Sequence, residues 1–433
     1  MPFLHKNLDM MDNKDKKLIE NTAFVYMMRL ASYIFPLITT PYLTRKLQEN
    51  NYGIYVWTGS VINYVRLIVD FGFVIYGIEV IASCGGDKDK IGENVRKIIR
   101  CKMILCSITA LLLTMCCIWN GQFQEYMMMI LLSYISVVIS VFGLDFLFQG
   151  MEQMKYITIR VVLTKLIFTV LVFVFVRNAE QYLLVPILTA VGEGISVILM
   201  WKTARKLGIK VFGKTIKVDK EFLGKSSWYF LSRVSGAVYS HGNIIMLGLV
   251  LPNSQVAQYS VAFTILSVAQ NFITPIADSL YPYMVKNKNF LLVKKVVLIV
   301  EPLILGLCII GGFVAKPAVT FVFGYEYAMA AKVLYMLLPI ILATLPGCLL
   351  GFPTLSALGL YREVNISNFI AAVFHMIGLT VLYFRESITI FTVAILTCCT
   401  EWLLVIIRGV FVNKVTRIKE KKGLYHKSDF GEE

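Results

Sequence analysis

The chain has 433 residues, 57% hydrophobic and 16% charged, with a mean hydropathy of +0.70 and a formal net charge of +15. That composition excludes a soluble domain and describes a helical membrane protein, because backbone in lipid must satisfy its own hydrogen bonds. The basic excess raises the question of nucleic acid, but the distribution of Lys and Arg along the chain answers it with membrane topology.

The first 20 residues are polar, and Lys14, Lys16 and Lys17 precede a full-length apolar run. This reads as a retained anchor rather than a cleaved signal peptide. About 20 consecutive apolar residues cross a bilayer, and twelve such segments follow one another. In order they are Phe24–Leu43, Tyr55–Ala82, Met103–Trp119, Tyr126–Phe148, Ile157–Val176 and Leu183–Trp201. Then come Trp228–Leu251, Val256–Met284, Val296–Val314, Val333–Phe352, Val364–Phe384 and Ile388–Ile407.

With the N-terminus inside, the outer loops hold only Arg45, Lys46, Arg177, Lys316 and Arg385. Arg29, Arg66, Arg233 and Lys332 fall inside spans or at their edges, and the remaining Lys and Arg are assigned to the inner side. That bias puts both termini in the cytoplasm and attracts anionic lipid head groups. Trp57, Trp119, Trp201 and Trp228 fall near span ends, where an interfacial belt is expected.

The basic connection Lys202–Ser227, with eight Lys and Arg, divides the chain near its middle. The organisation expected is a cytoplasmic tail at 1–20, a six-helix half at 21–201 and a basic connecting loop at 202–227. A second six-helix half at 228–410 and a cytoplasmic tail at 411–433 complete it. The fold class is therefore an all-α polytopic membrane protein, twelve transmembrane helices in a 6+6 pseudo-repeat around a central cavity. A register that lays Arg29 on Arg233 also lays residues 51–55 on 255–259. A parallel repeat of this kind places a binding site between its halves. Pro36 and Pro41, Pro275 and Pro282, and Pro339, Pro346 and Pro353 predict bent helices, which suit a rocking transporter.

Charged residues within spans carry the functional reading. An ionised group at that depth costs at least ~2.5–3.5 kcal/mol on insertion scales, so it faces a wet cavity or a partner. Arg29, Arg66 and Arg233 are the candidate anion cradle, since a guanidinium binds phosphate oxygens bidentately and keeps its charge. The structural alternatives are snorkelling for Arg29 and an ion pair between Arg66 and Asp70 along one helix. Asp70, Glu193 and Glu401 are candidates for ion coupling. Asp145, Asp278 and Glu301, near inner ends, read as boundary or structural residues. Nine scattered Cys and four separated His form no metal pattern, and no phosphate loop or nucleophile elbow is present. Neither a metal, a cofactor nor an enzymatic activity is expected.

Several stretches taken together resemble a known family. Pro36-Leu-Ile-Thr-Thr-Pro-Tyr-Leu-Thr-Arg-Lys-Leu-Gln-Glu-Asn-Asn-Tyr-Gly-Ile-Tyr55 resembles the opening of the Wzx-type polysaccharide flippases, part of the multidrug/oligosaccharidyl-lipid/polysaccharide exporter superfamily. Ile68-Val-Asp-Phe-Gly-Phe73, Phe148-Gln-Gly-Met-Glu152, Val256-Ala-Gln-Tyr-Ser-Val-Ala-Phe263 and Phe323-Gly-Tyr-Glu-Tyr327 agree in order. The chain departs from the family pattern after Leu47, where Gly-Pro is usual, at Phe146, where Trp is common, and at Ile78, where Arg is frequent.

The resemblance implies a flippase for an undecaprenyl-diphosphate-linked oligosaccharide in the bacterial cytoplasmic membrane, serving O-antigen, capsule or exopolysaccharide synthesis. Its partners would be the lipid-linked oligosaccharide, membrane lipids and other polysaccharide-assembly membrane proteins. A lipid II or teichoic-type lipid flippase shares that chemistry. A polysaccharide polymerase or ligase would need a large outer loop, and the longest here, Ala315–Lys332, is short. An organic-cation extruder would be poorly served by an arginine-lined cavity. A scramblase or assembly scaffold is the remaining class.

Overall fold

The computed structural model describes residues 13–211, 213, 220–238 and 241–421. The ends of both expected tails, the middle of the basic loop and the side chain of Trp228 lie outside the described residues. Every regular element among the described residues is helical. The helices are α1 (Asn13–Asp70), α2 (Phe73–Ser83), α3 (Lys88–Trp119), α4 (Gly121–Glu125), α5 (Met127–Val141), α6 (Asp145–Gly150), α7 (Met154–Phe175) and α8 (Leu184–Lys206). They continue with α9 (Lys220–Ala237), α10 (His241–Val250), α11 (Asn253–Asn287), α12 (Phe290–Phe323), α13 (Ala328–Leu349), α14 (Tyr361–Phe384) and α15 (Ile390–Lys421).

Nine helical stretches among the described residues are long and apolar enough to cross a bilayer. They coincide with nine of the twelve expected spans. The first, second and seventh expected spans are helical too, but polar or broken. Gln48 (φ 61°, ψ 170°) interrupts α1 between the first two. Phe71 and Gly72, both at positive φ, split the second after Asp70. The seventh is divided between α9 and α10. Broken helices at this depth are tolerated where other protein groups meet the freed backbone.

The chain packs as two compact units. The first comprises Met1–Leu47 and Val61–Arg233, the second Gln48–Ser60 and Val234–Glu433. In the first, α7 lies along α8, α8 along α5, and α2 against α6. In the second, α13 is central and packs against α11, α12 and α15, while α14 lies along α15.

Trp57 belongs to the second unit's core rather than to an interfacial belt. Its side chain is fully buried, and its Nε1 donates to the Ile245 carbonyl at 3.1 Å. Only a glycine at 248 leaves room for it, because a Cβ there would sit 2.0 Å from the indole. A buried indole satisfies its one N–H in this way while contributing its whole apolar area.

The proline spacing in the tenth expected span produces an irregular turn. After α13 the backbone widens over Leu350–Ser356, with Gly351 at ψ −119°. Pro353 cannot donate to the Leu349 carbonyl, and Thr354 Oγ1 donates to it instead at 2.8 Å. Gly351 also makes room for Arg408, whose Nη1 donates to the Gly347 carbonyl at 2.6 Å.

A polar knot ties the start of α11 to the segment after the Gln48 bend. Gln258 Nε2 donates to Glu49 and to the Glu326 carbonyl, and its Oε1 accepts from the Ala330 amide. Burial, then the Glu326 charge, push the Glu49 carboxyl above its ordinary 4.5, against the opposing hydrogen bond from Gln258.

Two outcomes follow from this packing. Gly248→Val should lower stability by about 1–3 kcal/mol in a thermal scan of the purified protein, whereas Gly306→Ala, which meets nothing within 4 Å, should lose nothing. Because the folded Glu49 carboxyl holds its proton more tightly than the unfolded one, stability falls as pH rises from 4.5 through the folded value. Glu49→Gln should flatten that step in melting temperature against pH.

Candidate functional site

The first unit encloses a small cavity of about 210 Å³ whose wall is dominated by charge. Arg66 and Asp70 reach it from one face of α1, a turn apart. Lys102 comes from α3, Asp145 from the start of α6, Arg160 from α7, Glu193 from α8 and Arg233 from α9. Thr164 Oγ1 donates to Ser196 Oγ at 2.7 Å, which holds α7 to α8 beside these residues.

Arg66 does not pair along its own helix. Its two Nη atoms donate to the two carboxylate oxygens of Glu193 at 2.8 and 3.2 Å, and one also reaches Ser136 Oγ at 3.0 Å. Asp70 turns instead to Lys102, at 2.8 Å, and to Arg233, at 3.6 Å. Arg160 Nε stands 2.8 Å from Asp145 Oδ1. Lys165 on α7 lies within electrostatic reach of Glu193, Arg66 and Arg160.

Two properties of this cluster decide what it can hold. The wall carries four cations (Arg66, Lys102, Arg160, Arg233) against three carboxylates (Asp70, Asp145, Glu193), a formal excess of one that Lys165 raises to two. In addition, Arg66 Nε and Arg233 Nη1 are buried nitrogens without a hydrogen-bond acceptor among the described residues, whereas Arg160 Nε is already met by Asp145. Buried donors in folded proteins are almost always satisfied. Two unsatisfied guanidinium nitrogens on one cavity with excess positive charge are suited to an oxyanion.

The sequence candidates are therefore divided. Arg66, Arg233, Asp70 and Glu193 converge on this cavity, whereas Arg29 is not among the residues that line it. Arg29 sits half-buried on α1 with an interaction of its own. Glu401 lines a separate cavity of the second unit, of about 340 Å³.

Several participants were not picked out by the sequence. Asp145, read as a boundary or structural residue, is an ion-pair partner of Arg160 at the start of α6 and also borders the cavity. Arg160 and Lys165 lie inside α7 and do not belong to the inner-loop count. Lys102, only 3% exposed, is a buried counter-ion rather than a loop lysine. Arg408, just beyond the last expected span, is buried against Ser367, Asn368 and Gly347. The available signal was spacing: Arg408 falls two turns after Glu401, on the same helix face. Among the described residues no group of three His, Cys, Asp or Glu is placed to hold a metal.

This fold occurs in solved transporters. The lipid II flippase MurJ in an inward closed conformation matches with a TM-score of 0.68 at 11% identity, over 91% of this chain and 87% of that one. An inward-facing multidrug resistance MATE family transporter matches with a TM-score of 0.68 at 14% identity, over 91% and 95%. The chain is thus a polytopic membrane protein with the fold of that transporter group. Residues 18–288 match the model of the polysaccharide biosynthesis protein family, and the chain belongs to that family. A candidate O-antigen transporter of Escherichia coli (strain K12) is 26% identical over 303 residues, 70% of this chain and 73% of the relative. Another, from Shigella dysenteriae, is 25% identical over 325 residues, 73% and 80%.

The pairing makes a direct prediction. Asp70→Ala strands Lys102 and should cost about 3–5 kcal/mol, as breaking a buried pair does. Lys102→Met in the same chain should restore most of it. A thermal double-mutant cycle measures the coupling.

Proposed function

We propose that the protein is a flippase that moves undecaprenyl-diphosphate-linked oligosaccharide repeat units across the bacterial cytoplasmic membrane for surface polysaccharide synthesis. Membership of the polysaccharide biosynthesis family and the O-antigen transporter relatives support a lipid-linked glycan as cargo and transport rather than an enzymatic reaction. The observation that carries the reading is the pair of unsatisfied guanidinium nitrogens, Arg66 Nε and Arg233 Nη1, on a cavity with excess positive charge. A diphosphate diester supplies about two negative charges and several acceptor oxygens, matching both features.

In this reading Arg66 and Arg233 hold the diphosphate, with Lys102 and Arg160 completing the field. Arg29, expected from the sequence to share the cradle, would assist from outside the wall. Glu193 competes with the substrate for Arg66. Protonation of Glu193 would release that arginine, and departure of the diphosphate would let the carboxylate return. Asp70 is the second candidate for ion coupling, although Lys102 holds it more closely than Arg233 does. The six-helix halves at 21–201 and 228–410, joined by 202–227, would rock in alternating access, with both termini cytoplasmic.

The test is flipping of a fluorescent undecaprenyl-diphosphate oligosaccharide in proteoliposomes, followed by quencher accessibility. Arg66→Ala and Arg233→Ala should each slow transfer by about tenfold or more, the worth of a lost charge-assisted hydrogen bond. Glu193→Gln should bind the lipid more tightly yet lose the dependence of rate on a pH gradient. Wild-type transfer no faster than in protein-free liposomes would sink the proposal.

A further inference from the structure

The second unit's cavity has a different chemistry from the first. It lies among α11, α13 and α15, and its volume of about 340 Å³ falls within the range of small-ligand sites, ~300–1,000 Å³. Along α11 the residues Ser267, Gln270, Asn271 and Thr274 recur at three- and four-residue steps, which places them on one helix face inside an otherwise apolar segment. An apolar stretch in a membrane has no reason to carry such a stripe unless the stripe meets protein or a polar ligand.

Part of this lining is already committed. Gln270 Nε2 donates to Thr344 Oγ1 at 3.1 Å, and Thr344 donates onward to the Ile340 carbonyl. Arg408 spends its donors on Ser367, Asn368 and Gly347. The remainder is not: Ser267, Asn271, Thr274 and Glu401 make no side-chain hydrogen bond to another described residue, and all four border the cavity. Together they offer hydroxyls that both donate and accept, an amide with both functions and one carboxylate. Phe263 and Leu266 add an apolar edge.

We infer that this cavity binds sugar hydroxyls of the transported head group, so that the diphosphate and the glycan are recognised in separate units. The inference rests on the proposed lipid-linked glycan substrate and adds to it a specificity site. Neutral donors and acceptors at short spacing with an apolar edge match a pyranose, which presents alternating hydroxyls around a C–H surface. A divalent cation is a poorer occupant, since hard cations take six or more oxygens, usually with several carboxylates, and Glu401 is the one carboxylate on this wall. A second anion is also disfavoured, because Arg408 is already engaged and Glu401 would repel it. Discrimination among glycans would follow from the hydrogen bonds: a site built to bond a hydroxyl rejects a ligand that lacks it.

The experiment compares two probes on the full-length protein in nanodiscs: the lipid-linked oligosaccharide extracted from the source cells, and bare undecaprenyl diphosphate. Wild type should bind the glycan-bearing lipid at least tenfold more tightly. Asn271→Leu and Glu401→Gln should each reduce that preference by about 3–10-fold, the worth of one or two neutral hydrogen bonds, while leaving affinity for the bare diphosphate unchanged. That unchanged affinity reports intact folding. Arg66→Ala should weaken both probes equally and preserve the ratio. A wild type without glycan preference, or variants that keep the full preference, would overturn the inference. So would a Glu401→Gln effect confined to the response to added sodium, which would make the cavity a cation site. Failure of wild type to bind bare undecaprenyl diphosphate would count instead against the diphosphate reading.

Discussion

The constraint on which this structure depends is the cost of an uncompensated charge in a low-dielectric medium. In the first unit it is met by cross-helix pairs: Arg66 with Glu193, Asp70 with Lys102 and Arg233, Arg160 with Asp145. All but the last join helices that are not consecutive in the chain, so the ionised groups act as cross-ties. A buried pair contributes little net stability against a well-packed apolar alternative. Retaining so many of them where apolar residues would pack is a stronger mark of function than of stability. The excess of cations over carboxylates gives that function its sign.

Under the proposed function, the pairing would let one cluster both bind and release an anion. A cavity lined with free arginines would hold a diphosphate too tightly to turn over. One in which every arginine has a carboxylate within reach has a built-in competitor of equal chemistry. Under the same proposal, exchange of counter-ions would need only short side-chain movements. The second unit carries hydroxyls and amides where the first carries charges, a division that suits a substrate with a charged and a neutral part.

Backbone irregularity is the third element. Gln48, Phe71–Gly72 and Leu350–Ser356 interrupt helices that would otherwise run on. Around the last of these, Thr354 and Arg408 take up the carbonyls of Leu349 and Gly347. The carbonyl that Pro353 frees is claimed locally by Thr354, whereas the Gly347 carbonyl beside the widened turn is claimed by Arg408, tens of positions away.

What the sequence determined by itself was class, element type and the inventory of costly residues. Hydropathy and length alone dictate membrane helices, and a charge inside an apolar run is conspicuous without any structure. Arg66, Arg233, Asp70 and Glu193 were legible for that reason. Tertiary structure decided the partners. Local sequence favours Asp70 facing Arg66, one turn away on the same helix, and gives no sign of Lys102, 32 residues on and on another helix. Nor could spacing reveal that Trp57 is core, because its burial rests on a glycine at 248. Lys102, Arg160 and Arg408 escaped notice because they sit at or near span ends, where hydropathy treats a basic residue as topology. Only packing shows whether such a side chain turns outward to water or inward to a carboxylate, because that choice is made by the neighbouring helices rather than by its own.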